Sequence, residues 1–173
     1  MGSPVRLFDE QEIQKRIEEL AEEISRSIPD DFMILGLLKG SFVFIADLSR
    51  ALYRFDRHPE IEFIRLSSYG LEKTSAGEVH LLGDCPTDLS GRNVLLIDDI
   101  ADTGRSLAYA RAVLEQRDVG QLWTCVLLDK PSRREVDVPV DFVGFTIDDL
   151  FVAGYGIDYA EEYRGLPHIV VVD

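Results

Sequence analysis

The chain contains few of the residues that mark metal, disulfide and membrane proteins. Its 173 residues include two cysteines and three histidines, which lie far apart in the sequence. They form neither a zinc spacing nor a disulfide framework, which favours a reducing compartment. No stretch reaches the roughly 20 consecutive apolar residues of a membrane span, and the polar N-terminal residues do not resemble a secretory signal. We therefore expect a cytoplasmic protein with no membrane partner.

Positive charge is also scarce in this sequence. The 18 Lys and Arg residues are outnumbered by 32 Asp and Glu residues, which gives a formal net charge of −14. Nucleic-acid binding requires clustered cations that neutralise phosphates, so we expect no nucleic-acid partner. A phosphorylated ligand would need help from a divalent cation such as Mg²⁺, which bridges carboxylates to phosphate oxygens.

The overall composition fits a single globular domain. Hydrophobic residues make up 46% of the chain and charged residues 29%, as in ordinary globular proteins. A chain of this length can bury a large core without disulfides or metals. No internal repeat, low-complexity tract or linker divides the sequence, so we expect residues 1–173 to form one domain.

Strand and helix patterns alternate along the chain. Amphipathic spacing predicts helices over residues 8–27, 42–53 and 105–116, the first with Asp9 as its N-cap and Glu12 three residues later. Apolar or alternating runs predict strands over residues 32–38, 61–68, 78–82, 94–97, 122–128, 141–146, 151–154 and 169–172. Right-handed crossovers then place the loops that follow parallel strands at one edge of a sheet. The polar residues 70–77 are expected to form an arm that closes over this edge.

The most informative segment is residues 93–107, with the sequence NVLLIDDIADTGRSL. An apolar strand leads into three aspartates and then into the start of a helix. The helix start offers backbone N–H groups and hydroxyls, and an anion is favoured there. Carboxylates beside such a turn can accept hydrogen bonds from sugar hydroxyls, so the segment predicts a site for a phosphorylated sugar.

The run DDIADTGRSL resembles the phosphoribosyl pyrophosphate (PRPP) motif of the type I phosphoribosyltransferases. Further motifs resemble the hypoxanthine (hypoxanthine-guanine) phosphoribosyltransferases of that family. They are residues 38–41 (LKGS), Lys130 and residues 151–164 (FVAGYGIDYAEEYR). The resemblance implies an α/β fold, the type I phosphoribosyltransferase fold, with a central mostly parallel sheet flanked by helices, a small hood and a flexible active-site arm.

The resemblance also implies a reaction and its partners. The expected activity is Mg²⁺-dependent transfer of 5-phosphoribosyl from PRPP to N9 of a 6-oxopurine, in purine salvage. Hypoxanthine is the leading base and would give IMP and pyrophosphate, and guanine would give GMP. Members of the family are commonly dimeric or tetrameric, so a homodimer or homotetramer is expected.

Two other functions stay open at this point. One is a preference for xanthine or guanine, which carbonyl groups around the purine 2-position decide. The other is a regulatory module of the same fold that senses PRPP and docks nucleic acid. The pair Asp98-Asp99 permits it, because hypoxanthine enzymes usually carry Glu-Asp there, whereas the net charge opposes it.

The resemblance assigns roles to individual residues. Asp102 is the expected general base at purine N7. The 5′-phosphate is expected to contact Asp102, Thr103, Gly104, Arg105 and Ser106, and the ribose Asp98 and Asp99. Pyrophosphate is expected to contact Lys39, Gly40, Ser68, Tyr69 and Arg164. The purine is expected to contact Lys130, Phe151 and Val152. Magnesium is expected to bind Asp98, Asp99 and Asp158.

Plain structural roles compete with several of these assignments. Asp102 and Thr103 could simply cap the following helix. Lys130 could be an ordinary exposed lysine, and Phe151 could pack in the core. In the family, the peptide bond before the lysine of the pyrophosphate loop can be cis, and this bond corresponds to Leu38-Lys39.

Overall fold

The structure is a computed structural model, and it describes residues 3–69, 78–85 and 88–172. The helices within these residues are α1 (Glu10–Ser27), α2 (Phe42–Tyr53) and α3 (Arg105–Glu115), and a 3₁₀ turn spans Pro131–Arg133. The strands are β1 (Val5–Phe8), β2 (Met33–Leu38), β3 (Glu60–Tyr69), β4 (Glu78–Leu82), β5 (Val94–Ala101), β6 (Leu122–Asp129), β7 (Phe142–Thr146), β8 (Val152–Ala153) and β9 (Ile169–Val171).

Six strands form the central sheet in the order β4-β3-β2-β5-β6-β7. Four of the five pairings are parallel, and only β4 runs antiparallel to its neighbour β3. From β2 the chain crosses through α2 to one side of the sheet, and from β5 it crosses through α3 to the other side. The strand order therefore reverses between β2 and β5, and ligands bind at such a switch point in open parallel sheets.

Alternating side chains of the central strands pack into two cores, one on each face of the sheet. In β5, Leu95 and Ile97 join α1 and α2 in one buried cluster, whereas Val94 and Leu96 join α3 in the other. Both faces of the central strands are thus covered, which explains their continuous apolar sequence. The polar residues that follow these strands emerge at the carboxyl edge.

The second sheet is a small antiparallel one, in the order β1-β9-β8. It joins the start of the described chain to its end and matches the expected hood. The expected helix at residues 8–27 begins later, because Phe8 pairs in β1 and Asp9 forms a capping box with Glu12. The strand β1 was not predicted, because four residues with little alternation carry too weak a pattern.

The other predicted elements agree with the structure to within a few residues, and β5 shows the most informative difference. It continues through Ala101 rather than ending at residue 97, so Asp98 and Asp99 lie within the strand. Residues 70–77, the predicted arm, lie outside the described residues, although β3 and β4 on either side pair antiparallel as expected. No helix in the described part of the chain is long and apolar enough to cross a membrane.

Candidate active site

An open cleft of about 300 Å³ lies at the switch point between β2 and β5. Its walls are the loop after β2, the end of β5 and the start of α3. Eight of the predicted site residues line it: Lys39, Gly40, Asp98, Asp99, Asp102, Thr103, Gly104 and Ser106. The switch-point rule and the sequence motif thus identify the same place.

The two walls of the cleft approach most closely at Gly40. A Cβ atom added to Gly40 would lie 1.9 Å from Asp99 Oδ2, so only glycine lets the loop after β2 pass this carboxylate. The peptide bond between Leu38 and Lys39 is cis, as in the expected pattern. This close approach places the backbone of the loop beside the aspartate pair.

The aspartate pair carries concentrated negative charge. Asp98 accepts a hydrogen bond from the Asp99 N–H at 2.8 Å, and Asp99 accepts one from the Ile100 N–H at 2.7 Å. Burial raises the pKa of Asp98 well above its usual range, and the neighbouring Asp99 carboxylate adds to the rise. Ligands that donate hydrogen bonds, or a cation, would compensate this charge.

The loop from Asp102 to Ser106 turns sharply into α3. Gly104 is the N-cap of the helix with φ of +87°, and no side chain of the described residues caps it. Thr103 Oγ1 accepts a longer hydrogen bond, of 3.3 Å, from the Arg105 N–H. The capping alternative is therefore wrong for Asp102, whose side chain contacts Arg133 instead, whereas Thr103 does accept a bond from the first helical N–H. The helix N-terminus lines the cleft, where an anion would bind.

Residues 133–136 fix the position of this loop through hydrogen bonds and ion pairs, and the sequence patterns did not identify them. Thr103 O accepts hydrogen bonds from the N–H groups of Glu135 and Val136, at 2.9 and 3.1 Å. Arg134 donates to Asp102 O at 2.8 Å and forms an ion pair with Asp129 at the end of β6. A run of two arginines and a glutamate has no periodicity that would reveal such a role.

Two further contacts tie side chains of the loop to the same segment. The Arg105 guanidinium pairs with Glu135 at 2.5 Å, and Arg105 is not among the residues that line the cleft. Arg133 Nε lies 3.2 Å from Asp102 Oδ1 and 3.7 Å from Asp149 Oδ1. The carboxylate expected to act as the base therefore already has a cationic neighbour.

The predicted purine residues lie beside this edge of the sheet. The Lys130 N–H donates to Ala101 O at 2.9 Å, directly before Asp102. Lys130 is only 5% exposed, so the alternative of an ordinary surface lysine is wrong. Its Nζ lies 5.9 Å from the centre of the Phe151 ring, within range of a cation–π contact.

Phe151 and Val152 differ in environment although they are neighbours in sequence. Phe151 is 71% exposed, so its ring does not pack in the core as the structural alternative required. Val152 is buried in β8, where it pairs with Val171 of the hood. An exposed aromatic ring held beside a buried lysine forms one wall of a site for a flat, polar ring.

The predicted pyrophosphate residues cluster on the other side of Gly40. Lys39 Nζ lies 3.7 Å from Glu161 Oε2, and Arg164 pairs with Asp158 at 3.2 Å and donates to Gly156 O at 2.7 Å. Asp158 also accepts a hydrogen bond from the Glu161 N–H. The structure thus brings Lys39, Arg164 and Asp158 to one loop cluster next to the cleft.

A buried contact fixes the tail segment to α2. Tyr155 donates a hydrogen bond to Asp47 of α2, and a Cβ on Gly156 would lie 2.9 Å from Gly40 O. Burial and the hydrogen bond to Asp47 raise the pKa of Tyr155. Arg164 itself lines a second, more apolar pocket with α1 and α2. Sequence reasoning did not predict Tyr155 or Asp47, because their contact spans 108 positions in the chain.

Two predicted residues are described only by their backbone. Ser68 and Tyr69 end β3, and their side chains lie outside the described part of the structure. Within the described residues, no group of three or more His, Cys, Asp or Glu side chains could hold a metal ion by itself. A metal at this site would need oxygen ligands from substrate to complete its coordination.

Comparisons with known proteins agree with this geometry. A family model described as "Phosphoribosyl transferase domain" matches residues 5–160. Hypoxanthine phosphoribosyltransferase of Escherichia coli (strain K12) is 46% identical over 166 residues, 94% of this chain and 92% of that protein. Hypoxanthine-guanine phosphoribosyltransferase of Bacillus subtilis (strain 168) is 43% identical over 96% of this chain and 91% of that protein.

A solved structure is similar over the same length. Hypoxanthine phosphoribosyltransferase from Trypanosoma cruzi, in complex with the product IMP, has a TM-score of 0.89 and 41% identity. The match covers 97% of this chain and 93% of that chain. The expected fold is therefore confirmed, and the chain belongs to the phosphoribosyltransferase family, within the group of hypoxanthine and hypoxanthine-guanine phosphoribosyltransferases, as a transferase of purine salvage.

Proposed function

We propose that this protein transfers 5-phosphoribosyl from PRPP to N9 of hypoxanthine, giving IMP and pyrophosphate. The observation that carries the proposal is that two different sites, one suited to a sugar phosphate and one to a purine, lie next to each other at the carboxyl end of β5. A turn suited to a phosphorylated sugar begins at Asp102, and the hydrogen bond from the Lys130 N–H to Ala101 O places the buried Lys130 and the exposed Phe151 next to it. The names of the relatives support the same substrates.

The loop of residues 102–106, called the phosphate loop below, holds the sugar in this proposal. The N–H groups and hydroxyls of residues 102–106 donate hydrogen bonds to the 5′-phosphate at the start of α3, where the helix dipole stabilises an anion. Asp98 and Asp99 accept hydrogen bonds from the ribose hydroxyls. Asp98 is one methylene shorter than the glutamate usual in the family, so a bridging water connects its carboxylate to the ribose hydroxyl.

The purine binds between Phe151 and the end of β5. Its ring stacks on Phe151, its O6 accepts a hydrogen bond from Lys130, and the backbone around Val152 reads the base edge. A 6-amino group would place a donor against the lysine donor, which selects 6-oxopurines. Asp102 accepts the proton from N7, so the purine in the product is a neutral N-glycoside.

The chemical step is a displacement at C1′ with inversion. The N9–C1′ bond forms while the bond from C1′ to the pyrophosphate oxygen breaks, and the electron pair leaves with pyrophosphate. Lys39, Gly40 and Arg164 bind the departing group, together with Ser68 and Tyr69. The Arg164 fork suits phosphate oxygens, because its planar donors can bind two of them at once.

Magnesium fits the carboxylates of this chain. Asp98 and Asp99 place hard oxygen ligands in the cleft beside Gly40, with Asp158 in the neighbouring loop cluster. Burial and the Asp99 carboxylate raise the pKa of Asp98, and a bound cation would offset both effects. When bound with substrate, Mg²⁺ neutralises the charge that develops on pyrophosphate. Asp98 and Asp99 would hold one Mg²⁺ together with the ribose hydroxyls, and Asp158 would hold a second one that pyrophosphate carries.

Base preference and assembly belong to the same proposal. Hypoxanthine is the preferred base and guanine a second substrate, and the protein forms a homodimer or homotetramer in the cytoplasm. A competition assay with hypoxanthine, guanine and xanthine at equal concentration tests the preference. IMP as the main product would support the preference for hypoxanthine, and XMP or GMP as the main product would contradict it.

Product formation tests the proposal as a whole. Purified protein, PRPP, hypoxanthine and Mg²⁺ should yield IMP and one equivalent of pyrophosphate, resolved by chromatography. The control reaction contains adenine in place of hypoxanthine and should give little AMP. Equal yields from both bases would contradict the proposal that Lys130 selects 6-oxopurines over 6-aminopurines.

A further inference from the structure

Arg133 links the loop 102–106 to the segment that carries Phe151, and it has no part in the roles given above. It lies in the 3₁₀ turn after β6, with its Nε 3.2 Å from Asp102 Oδ1 and 3.7 Å from Asp149 Oδ1. Asp102 belongs to the phosphate loop, and Asp149 lies two residues before Phe151. One guanidinium therefore contacts the segment that carries the base and the segment that carries the stacking ring.

We propose that Arg133 is a positioning residue for the general base Asp102, with Asp149 as its second counter-ion. This inference rests on the proposed function, because it assumes that Asp102 accepts the purine N7 proton. Among the described residues, only Oδ1 of the Asp102 side chain has a partner. Arg133 fixes that oxygen, which leaves Oδ2 to receive the proton.

Asp149 matters because the charge on Asp102 changes during the reaction. When Asp102 accepts the N7 proton, it becomes a neutral acid and its attraction to Arg133 is lost. Arg133 then keeps Asp149 as its counter-ion. Glu135 is the other carboxylate that acts on Arg133, and it is already paired with Arg105. The Arg133 side chain thus stays next to Asp102 through a complete turnover instead of moving away at each proton transfer.

The contact is not a stabilising element of the fold. The Arg133 and Asp102 side chains are 48% and 44% exposed, and exposed ion pairs contribute little to stability. Arg133 donates no other hydrogen bond from its side chain within the described residues. Its removal should therefore change the reaction without changing the thermal midpoint, which separates this role from that of the partly buried Arg134 behind the same loop.

The first test compares three variants that differ in length and charge. Arg133→Met keeps the approximate length without the charge and should lower kcat about 5- to 20-fold, since it disturbs one group that orients a general base. KM for PRPP should stay within about twofold, because no PRPP contact is removed. Arg133→Lys should recover part of kcat, and Asp149→Asn should lower kcat less than Arg133→Met.

Arg54→Met is the matched control. Arg54 is also exposed and paired with one glutamate, Glu18 at 2.8 Å, but it lies at the end of α2 away from the cleft. It should leave kcat and both KM values unchanged. An unchanged kcat in Arg133→Met, or a kcat that Arg133→Lys does not improve, would overturn the proposal.

A double-mutant cycle separates this inference from the proposed function. If Arg133 acts through Asp102, Arg133→Met should have no further effect in the Asp102→Asn background. Equal reductions in both backgrounds would reject the positioning role and leave Asp102 as the base. A full rate in Asp102→Asn alone would reject the base assignment, and the role of Arg133 with it.

Discussion

The candidate site has a sugar side, which is the cleft itself, and a purine side next to it, and the two are built in different ways. On the sugar side, nine consecutive residues, 98–106, provide the carboxylates, the turn and the helix N-terminus. On the purine side, Lys130 and Arg133 follow β6, whereas Asp149 and Phe151 follow β7, and the two loops meet through side-chain contacts. Local backbone geometry dominates the first side, and contacts between distant parts of the chain dominate the second.

This difference indicates how each side should respond to substitution. Backbone changes should damage the sugar side most, because its donors are N–H groups held by one conformation. Side-chain changes should damage the purine side most, because a lysine and a ring carry its selectivity. Asp102 belongs to both sides, so its substitution should have the largest effect of all.

Asp102→Asn keeps the size of the side chain and removes the ability to accept a proton. We expect the forward rate to fall by roughly 10²-fold or more, as for loss of a general base. PRPP binding should be largely retained, because the turn and its N–H groups remain. Single-turnover rates and PRPP titration measure both quantities, and a forward rate close to that of the wild type would remove Asp102 from this role.

Lys130→Met tests the purine side alone. It keeps most of the buried side-chain volume and removes the donor to O6, so the preference for hypoxanthine over adenine in kcat/KM should fall about tenfold or more. Lys39→Met is the matched control, because it should raise KM for PRPP and preserve base preference. Intact preference in Lys130→Met would contradict the account of this side.

Gly104→Ala tests the sugar side through its backbone. Gly104 has φ of +87°, and an added Cβ would lie 2.6 Å from Val136 O. Gly91→Ala is the control, because Gly91 has φ of +73° with nothing within 4 Å of the added Cβ. Both should lose stability by about 1–2 kcal/mol for the left-handed backbone.

Only Gly104→Ala should also weaken PRPP binding, by about tenfold, because the displaced turn carries the phosphate donors. Urea unfolding and PRPP titration distinguish the two variants. Equal PRPP affinity in both variants would show that the turn tolerates displacement. It would contradict the account in which backbone geometry determines binding on the sugar side and side chains determine it on the purine side.

Asp98→Asn should change the pH dependence of stability, measured without metal. The raised pKa of Asp98 means that the folded protein keeps a proton that the unfolded chain loses above its ordinary pKa of 3.8. Stability of the wild type should therefore fall relative to Asp98→Asn as pH rises from about 4 to the folded-state pKa, by up to about 1.4 kcal/mol per pH unit.

Urea midpoints measured along a pH series give this difference directly. Asp84→Asn is the control, because the Asp84 side chain is 95% exposed and should show no such trend. A wild-type curve parallel to that of Asp98→Asn would mean that the cleft compensates the aspartate pair without a cation.

The sugar side could be predicted from the sequence because its chemistry is local. Strand, aspartates, glycine turn and helix start follow one another in residues 93–107, and each has a known positional preference. The end of β5 was misplaced, because aspartates are rare in strands and pattern reasoning stops at Asp98. The hood strand β1 was missed because its partner β9 lies at the other end of the chain.

The purine side could be predicted only through the resemblance to a family. Nothing in the spacing of Lys130 shows that it is buried, and a phenylalanine in an apolar run is ordinarily a core residue. Arg133, Arg134, Tyr155 and Asp47 act through contacts between elements, which no local pattern encodes. The contacts of the two arginines become visible only when the loops after β5, β6 and β7 lie side by side. The contact of Tyr155 with Asp47 becomes visible only when the segment after β8 packs on α2.

One measurement tests the central claim that both sides serve a single reaction. The protein should convert hypoxanthine and PRPP to IMP in the presence of Mg²⁺, with pyrophosphate released in equal amount and with adenine a poor substrate. Absence of IMP from folded protein that still binds PRPP would contradict the account, because the sugar side would then be present without a purine site that completes it.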